Sequence, residues 1–289
     1  MMLITLATVL LTASTMTART DTTFSVPTGS RLSVNNFGGV IAVRPWGKNA
    51  VRIEAEHSER AHISVDRQGT SFEVTASTRR GIPARIDYKI TAPAWMALNL
   101  EGVYTDVTVE GWKSDILAET VKGEVNVQGG EGLIRLSSVE GEVTLTGGRG
   151  RIELTAVNEG VSATDVAGDL TVDAVNGDVS LERIKSKLLE ASTVNGDIHF
   201  NGPIDDAGRY RFSSHNGDLD IVLPERTNAT ISVSTFSGGV ESSFPIQIQD
   251  SRKGHRMSFT LGTGKASIDL ETFEGTINIR RPDDGGKKE

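Results

Sequence analysis

The chain has 289 residues, 37% hydrophobic but only 5% aromatic, with a formal net charge of −8 and a pI near 5.3. That acidic balance, without any Lys/Arg cluster, argues against a nucleic-acid partner. The absence of cysteine excludes disulfides and a lipid-anchoring cysteine.

Met2 to Leu11 is apolar and small residues follow through Ala18. The pattern predicts a secretory signal peptide over residues 1–18, cleaved near Ala13 or Ala18, and so a chain exported to the periplasm or cell surface. No other stretch is long and apolar enough to span a membrane as a helix. Leu32 to Ile41 carries the first copy of a phrase that recurs later. From Trp46 to Ala92 that period blurs, while Val51–Ala55, Ile63–Val65, Phe72–Ala76 and Ile86–Ile90 still alternate like strands. Residues 24–97 are therefore expected to hold the first coil and an irregular β cap, with Arg79–Pro83 as a loop. Trp46, Trp95 and Trp112 fall in or beside it and are expected to pack it.

From Leu98 to residue 281 the phrase is regular: apolar-x-apolar-x-small-apolar-x-Gly-x-apolar. Its leading positions 116, 134, 152, 170, 189, 210 and 231 are separated by 18, 18, 18, 19, 21 and 21. The last step, from 231 to 268, is 37 and leaves room for two coils, one degenerate. Apolar residues two apart indicate strands, and a period of about 20 indicates a solenoid. These residues predict an all-β, single-stranded parallel β-solenoid, or β-helix, with coils of 18–21 residues. Val121, Val139, Val157, Val175 and Val194 are expected to stack as an apolar ladder of its core. The copy at Ile152 carries one extra residue, so its glycine falls at Gly160. No helix is expected; Ile184–Glu190 comes nearest. Ser251–His255 is expected to be a loop. Arg280, Arg281 and Pro282 would discourage strand addition at the far end, and 282–289 a charged tail.

Candidate sites follow from the stacking. Asp178, Asp197 and Asp218 occupy equivalent corners, after Asn176-Gly177, Asn195-Gly196 and Asn216-Gly217. Carboxylates about 5 Å apart repel by roughly 0.8 kcal/mol in water, which a hard cation would relieve. Asn-Gly-Asp is what a tight turn requires, and that is the stronger reading, so the corner is a weak metal candidate. Gly129–Gly132 and Gly147–Gly150 lack the aspartate of a calcium-binding nonapeptide, since Leu133 and Arg151 stand in its place. Thr144, Ser162 and Ser180 form a flat polar column, a candidate binding strip for a sugar or protein and also what any solvated sheet face looks like. No nucleophile, metal-ligand spacing or cofactor motif is visible, so no enzyme and no cofactor are expected.

The repeated Val-x-Gly-Asp/Glu-Val units, the breaks at Thr91-Ala92-Pro93 and Leu223-Pro224, and the closing Phe-Glu-Gly-Thr-Ile resemble the bacterial putative-adhesin domain family of unknown function over residues 30–280. The resemblance implies an exported envelope β-solenoid and carries over no catalytic residue. The functional expectation is a non-catalytic, adhesin-like surface that binds or scaffolds an envelope protein or glycan, as a monomer or weak oligomer. The alternatives are a polysaccharide-acting β-helix enzyme and a cation-stabilised structural protein.

Overall fold

The computed structural model describes residues 17–78, 84–245, 250–252 and 256–282. Among them there is no α-helix; 25 strands join in one hydrogen-bonded, largely parallel sheet system. Alternation along each strand sets the pattern. In Ile116–Lys122 the side chains of Ile116, Ala118 and Thr120 are buried and Glu119 is exposed. The chain turns at Gly123 and buries Val125 and Val127 on the next strand. One coil is these two strands and their corners.

Coils stack in register. Ile116, Ile134, Ile152, Leu170, Leu189 and Tyr210 align on the first strands. Val125, Val143, Val161, Val179, Ile198 and Leu219 align on the second. Both ladders feed one continuous core, aliphatic in the middle and aromatic around Phe200, Tyr210 and Phe212. Burying each such side chain contributes about 1.5–3 kcal/mol, and no coil buries its apolar face without a neighbour.

The corner glycine is selected by close approach. A Cβ on Gly196 would land on the carbonyl oxygen of Gly177 in the coil beneath. The small residue three places before it also does more than fit the bend. Ser138, Thr193 and Ser214 bury a hydroxyl that donates to the carbonyls of Gly123, Gly177 and Gly196, at 2.9–3.0 Å. These bonds satisfy backbone oxygens that the turn leaves without a ladder partner.

Three expectations are corrected. The valines 121, 139, 175 and 194 are exposed and Val157 is half-buried, so this ladder lies outside the core. The period of two already points them outward, because the small residue just before them points in. The 37-residue step holds no degenerate coil. Ala266–Glu274 inserts between Arg209–Asn216 and Ala229–Ser237, pairing in parallel with both. The intervening chain supplies Asp250–Arg252 and Arg256–Leu261, an antiparallel pair, the second of which covers the outer edge of Ala229–Ser237. Ile277–Arg280 consequently lies between Leu219–Val222 and Val240–Ser242, and the far end is not at Ile279.

The other end follows the same plan. Arg31–Trp46 pairs with Ala97–Trp112 on one side, and with Ser71–Thr78 and Arg85–Pro93 on the other, all parallel. Antiparallel strands Ala61–Gln68 and Ala50–Ser58 then cover those two, and Thr17–Ser25 covers Ala50–Ser58. Trp112 is buried there, its indole donating to Met96 O at 2.8 Å, while the Trp46 indole donates to Ala50 O at 2.7 Å. The strand Thr17–Ser25 takes in the last two residues of the 1–18 segment. Residues 1–16, 79–83, 246–249, 253–255 and 283–289, where a leader, two loops and a tail are expected, lie outside the described residues.

Candidate functional site on the outer faces

Outward side chains line up in columns because the coils are in register. Three columns matter: a polar ribbon, a corner of carboxylates and amides, and an apolar ridge.

The ribbon lies on the second strands. Thr144 stands level with Ser162 and Ser162 with Ser180, all half-buried, so the structure brings these three together. Asn126 extends the column at one end, and His199, Asp220 and Asn278 at the other. The residue composition does not announce what happens at that second end. His199 Nε2 lies 2.9 Å from Glu182 Oε1 and its Nδ1 3.0 Å from Asp220 Oδ2. Arg280 donates through Nε to Asp220 Oδ1 at 2.6 Å and through Nη2 to Oδ2.

Only an imidazolium can donate to both carboxylates. The Asp220 hydrogen bond raises the His199 pKa above 6.5, against the opposing effect of burial and with help from Glu182. Burial alone would raise Asp220, but the hydrogen bonds from His199 and Arg280 hold its carboxyl below the usual range. Glu182 lies 17 residues before His199 and Arg280 lies 60 after Asp220. The one available signal is the histidine's departure from short polar residues in the column.

At the corner, Asp178, Asp197 and Asp218 stack without converging on a point. Asp178 Oδ1 accepts the Asp197 N–H, Asp197 Oδ1 accepts the Asp218 N–H, both at 2.8 Å, and Asp218 Oδ1 accepts the Thr276 N–H at 2.7 Å. Each carboxylate thereby ties its coil to the next. Beside them the amides of Asn158, Asn176, Asn195 and Asn216 form their own ladder, each Nδ2 donating to the previous Oδ1 at 2.9–3.3 Å. Among the described residues no three His, Asp or Glu side chains are grouped as metal ligands would be.

The third column is the valine ladder that lies outside the core. In spatial order it runs Phe37, Val103, Val121, Val139, Val157, Val175, Val194, His215, Phe273 and Phe236. Val121 is 49% exposed and Phe236 63%. Tyr104 leans on Phe37 edge-to-face at 5.5 Å at one end. At the other, His215, Phe273 and Phe236 stack nearly parallel, with centroids 4.8 and 4.7 Å apart. A separate cleft of about 500 Å³ opens at the opposite corner, where Lys185, Lys187, Asp169 and Asp205 mix charge of both signs.

In-register parallel coils, capped at both ends by antiparallel strands and carrying long outward columns, define an all-β repeat protein of solenoid-like build. The chain belongs to the Toastrack family DUF4097, whose model matches residues 30–280. Solved structures show the same kind of likeness at low identity. One is a putative adhesin from Bacteroides fragilis, 14% identical, aligned over 93% of this chain and 98% of that one, with a TM-score of 0.44. Another, a putative adhesin from Parabacteroides distasonis, is 11% identical over 91% and 97%, with a TM-score of 0.40. A putative lipid binding protein from Parabacteroides distasonis is 11% identical over 91% and 96%, with a TM-score of 0.34. No curated protein matches the chain. Among the described residues no helix is long and apolar enough to cross a membrane, which leaves β-barrel spans unaddressed.

Proposed function

We propose that this chain is a non-catalytic, adhesin-like protein of the cell envelope. It is a single-stranded parallel β-solenoid that binds an envelope protein or glycan by contact through a repeated face. The observation that carries this reading is the ribbon Asn126, Thr144, Ser162, Ser180. Equivalent short polar side chains recur at about 4.8 Å, the spacing of neighbouring strands. Such a column offers one hydrogen-bonding pattern many times over, so weak contacts to a long partner add up. Export is part of the proposal and rests on the apolar run Met2 to Leu11 with the small residues after it.

The test is a glycan-array and envelope pull-down, repeated with Ser162→Arg and Thr144→Arg. Retention of one partner by the parent chain and its loss in both variants is expected. Retention that survives both substitutions overturns the ribbon. The enzyme reading draws on Glu182 and Asp220 flanking His199 on an outer face. His199 bridges Glu182 and Asp220, and Arg280 also holds Asp220, so a bound glycan is expected to be recovered uncut. Released fragments would favour the enzyme instead. Chelator and added calcium are expected to leave Tm unchanged, because the corner carboxylates are already tied to N–H groups of the next coil. A calcium-dependent Tm would favour the cation-stabilised alternative.

A further inference from the structure

The apolar ridge does not serve the core and is separate from the polar ribbon. A strip of this length, apolar but for His215 and exposed along most of its run, marks an interaction surface. We infer that the ridge is a self-association surface, on which a second copy of this chain docks ridge against ridge.

The first argument is the period. Ridge side chains repeat at the strand spacing, about 4.8 Å, over ten coils, so the strip is about 43 Å long. A partner matching it along its whole length must carry side chains at that same spacing. An α-helix, with a 5.4 Å pitch, falls half a coil out of step after four coils. A second copy stays in step throughout, and an isologous pairing uses the same patch on both partners.

The second argument is charge. The chain carries −8, which opposes both self-association and attachment to an anionic membrane. Beside the ridge, however, the column from Asn158 to Asn216 is neutral, and its amides are satisfied along the stack. On that flank two ridges meet through neutral amides, while exposed Asp173 on the other flank, and Asp178 and Asp197 beyond the amides, keep the contact narrow. The third is area. A strip one side chain wide over about 43 Å falls short of the roughly 800 Å² per partner of a standard interface. The expected association is accordingly reversible. It also sets two ribbons on one particle, which raises avidity for a repetitive partner without any new contact.

The experiment is sedimentation of the full chain across a concentration series. A monomer–dimer equilibrium is expected. Val139→Glu with Val175→Glu should weaken it roughly hundredfold or more, since each places a charge in an apolar contact. Both side chains are exposed in the monomer, so Tm should hold, which separates lost docking from lost folding. The absence of native cysteine allows a second readout. Val157 lies at the centre of the ridge, so Val157→Cys should cross-link two copies in either orientation. Phe37→Cys, at one end, should do so only if the copies run parallel. A strictly monomeric parent chain overturns the inference. So does a dimer indifferent to both glutamates. Monomeric binding to neutral phosphatidylcholine vesicles, lost in the double variant, overturns it in favour of a lipid surface. Ribbon variants should leave the dimer intact, so its failure and that of the binding proposal are distinguishable.

Discussion

Between Ile116 and Val222 every coil pairs with the one that follows it in the chain, whereas at both ends that order breaks. Near the N-terminus, Ser71–Thr78 and Arg85–Pro93 stack outside Arg31–Trp46, and the chain returns to lay down Ala97–Trp112 on the inner side. At the other end Ala266–Glu274 slips inside Ala229–Ser237. In both places an antiparallel strand then closes the outermost parallel one. A stack of parallel strands is a template for indefinite addition, and its last strand offers unpaired N–H and C=O groups to any passing chain. The middle is built for continuation and the ends for termination. Swapping the coil order leaves the covering strands beside the strands they must protect.

That contrast can be broken at four points of decreasing effect. Gly196→Ala, in the regular middle, sets a methyl against the Gly177 carbonyl and should cost at least about 4 kcal/mol in chemical denaturation or prevent folding. Gly47→Ala, in an end turn with open space around it, should change stability by less than about 0.5 kcal/mol. Equal costs at the two sites would remove the distinction.

Phe259→Ala hollows the strand that covers Ala229–Ser237 and should cost about 3 kcal/mol. Light scattering should rise on mild warming before the core melts, because an edge is bared. If scattering tracks core melting instead, Arg256–Leu261 is not acting as a cap.

Two buried tyrosines sharpen the comparison. Tyr210, in the regular stack, donates to Ser186 O at 2.6 Å and accepts the Asp205 N–H at 2.8 Å. Tyr88, at the N-terminal end, buries its hydroxyl without a partner among the described residues, and burial pushes its pKa up to about 12. Tyr210→Phe should lose about 1–2 kcal/mol, and Tyr88→Phe should gain up to about 1. Destabilisation by Tyr88→Phe would contradict this account.

The smallest effect is at His199. Its pKa is raised on folding, so its contribution is fully present below pH 6.5 and fades as pH rises through the folded pKa. Asp220, held low, contributes above its unfolded pKa near 3.8 and loses that contribution in stronger acid. The side chain of His199 is 37% exposed, so screening keeps its share below about 1 kcal/mol. His199→Gln should flatten the stability profile between neutral pH and pH 6. A parallel offset at all pH values would assign His199 a packing role alone.

The sequence carried the period, the strands, the inward positions and the corner glycines, because in a repeat each residue's partner stands one period away and looks like itself. Ile134 finds Ile116 and Ile152 at steps of 18, and Thr144 finds Ser162 and Ser180 the same way. Tertiary structure decided whatever depends on unlike partners or on chain order. The Val121 to Val194 ladder obeys alternation rather than hydrophobicity: Thr120, Ser138 and Thr193 point in, so the valines after them face out. The Glu182, His199, Asp220 and Arg280 network joins residues whose types do not repeat. The swapped coils at the ends are chosen by which exposed edge needs cover, a property of the assembled stack that no single coil possesses.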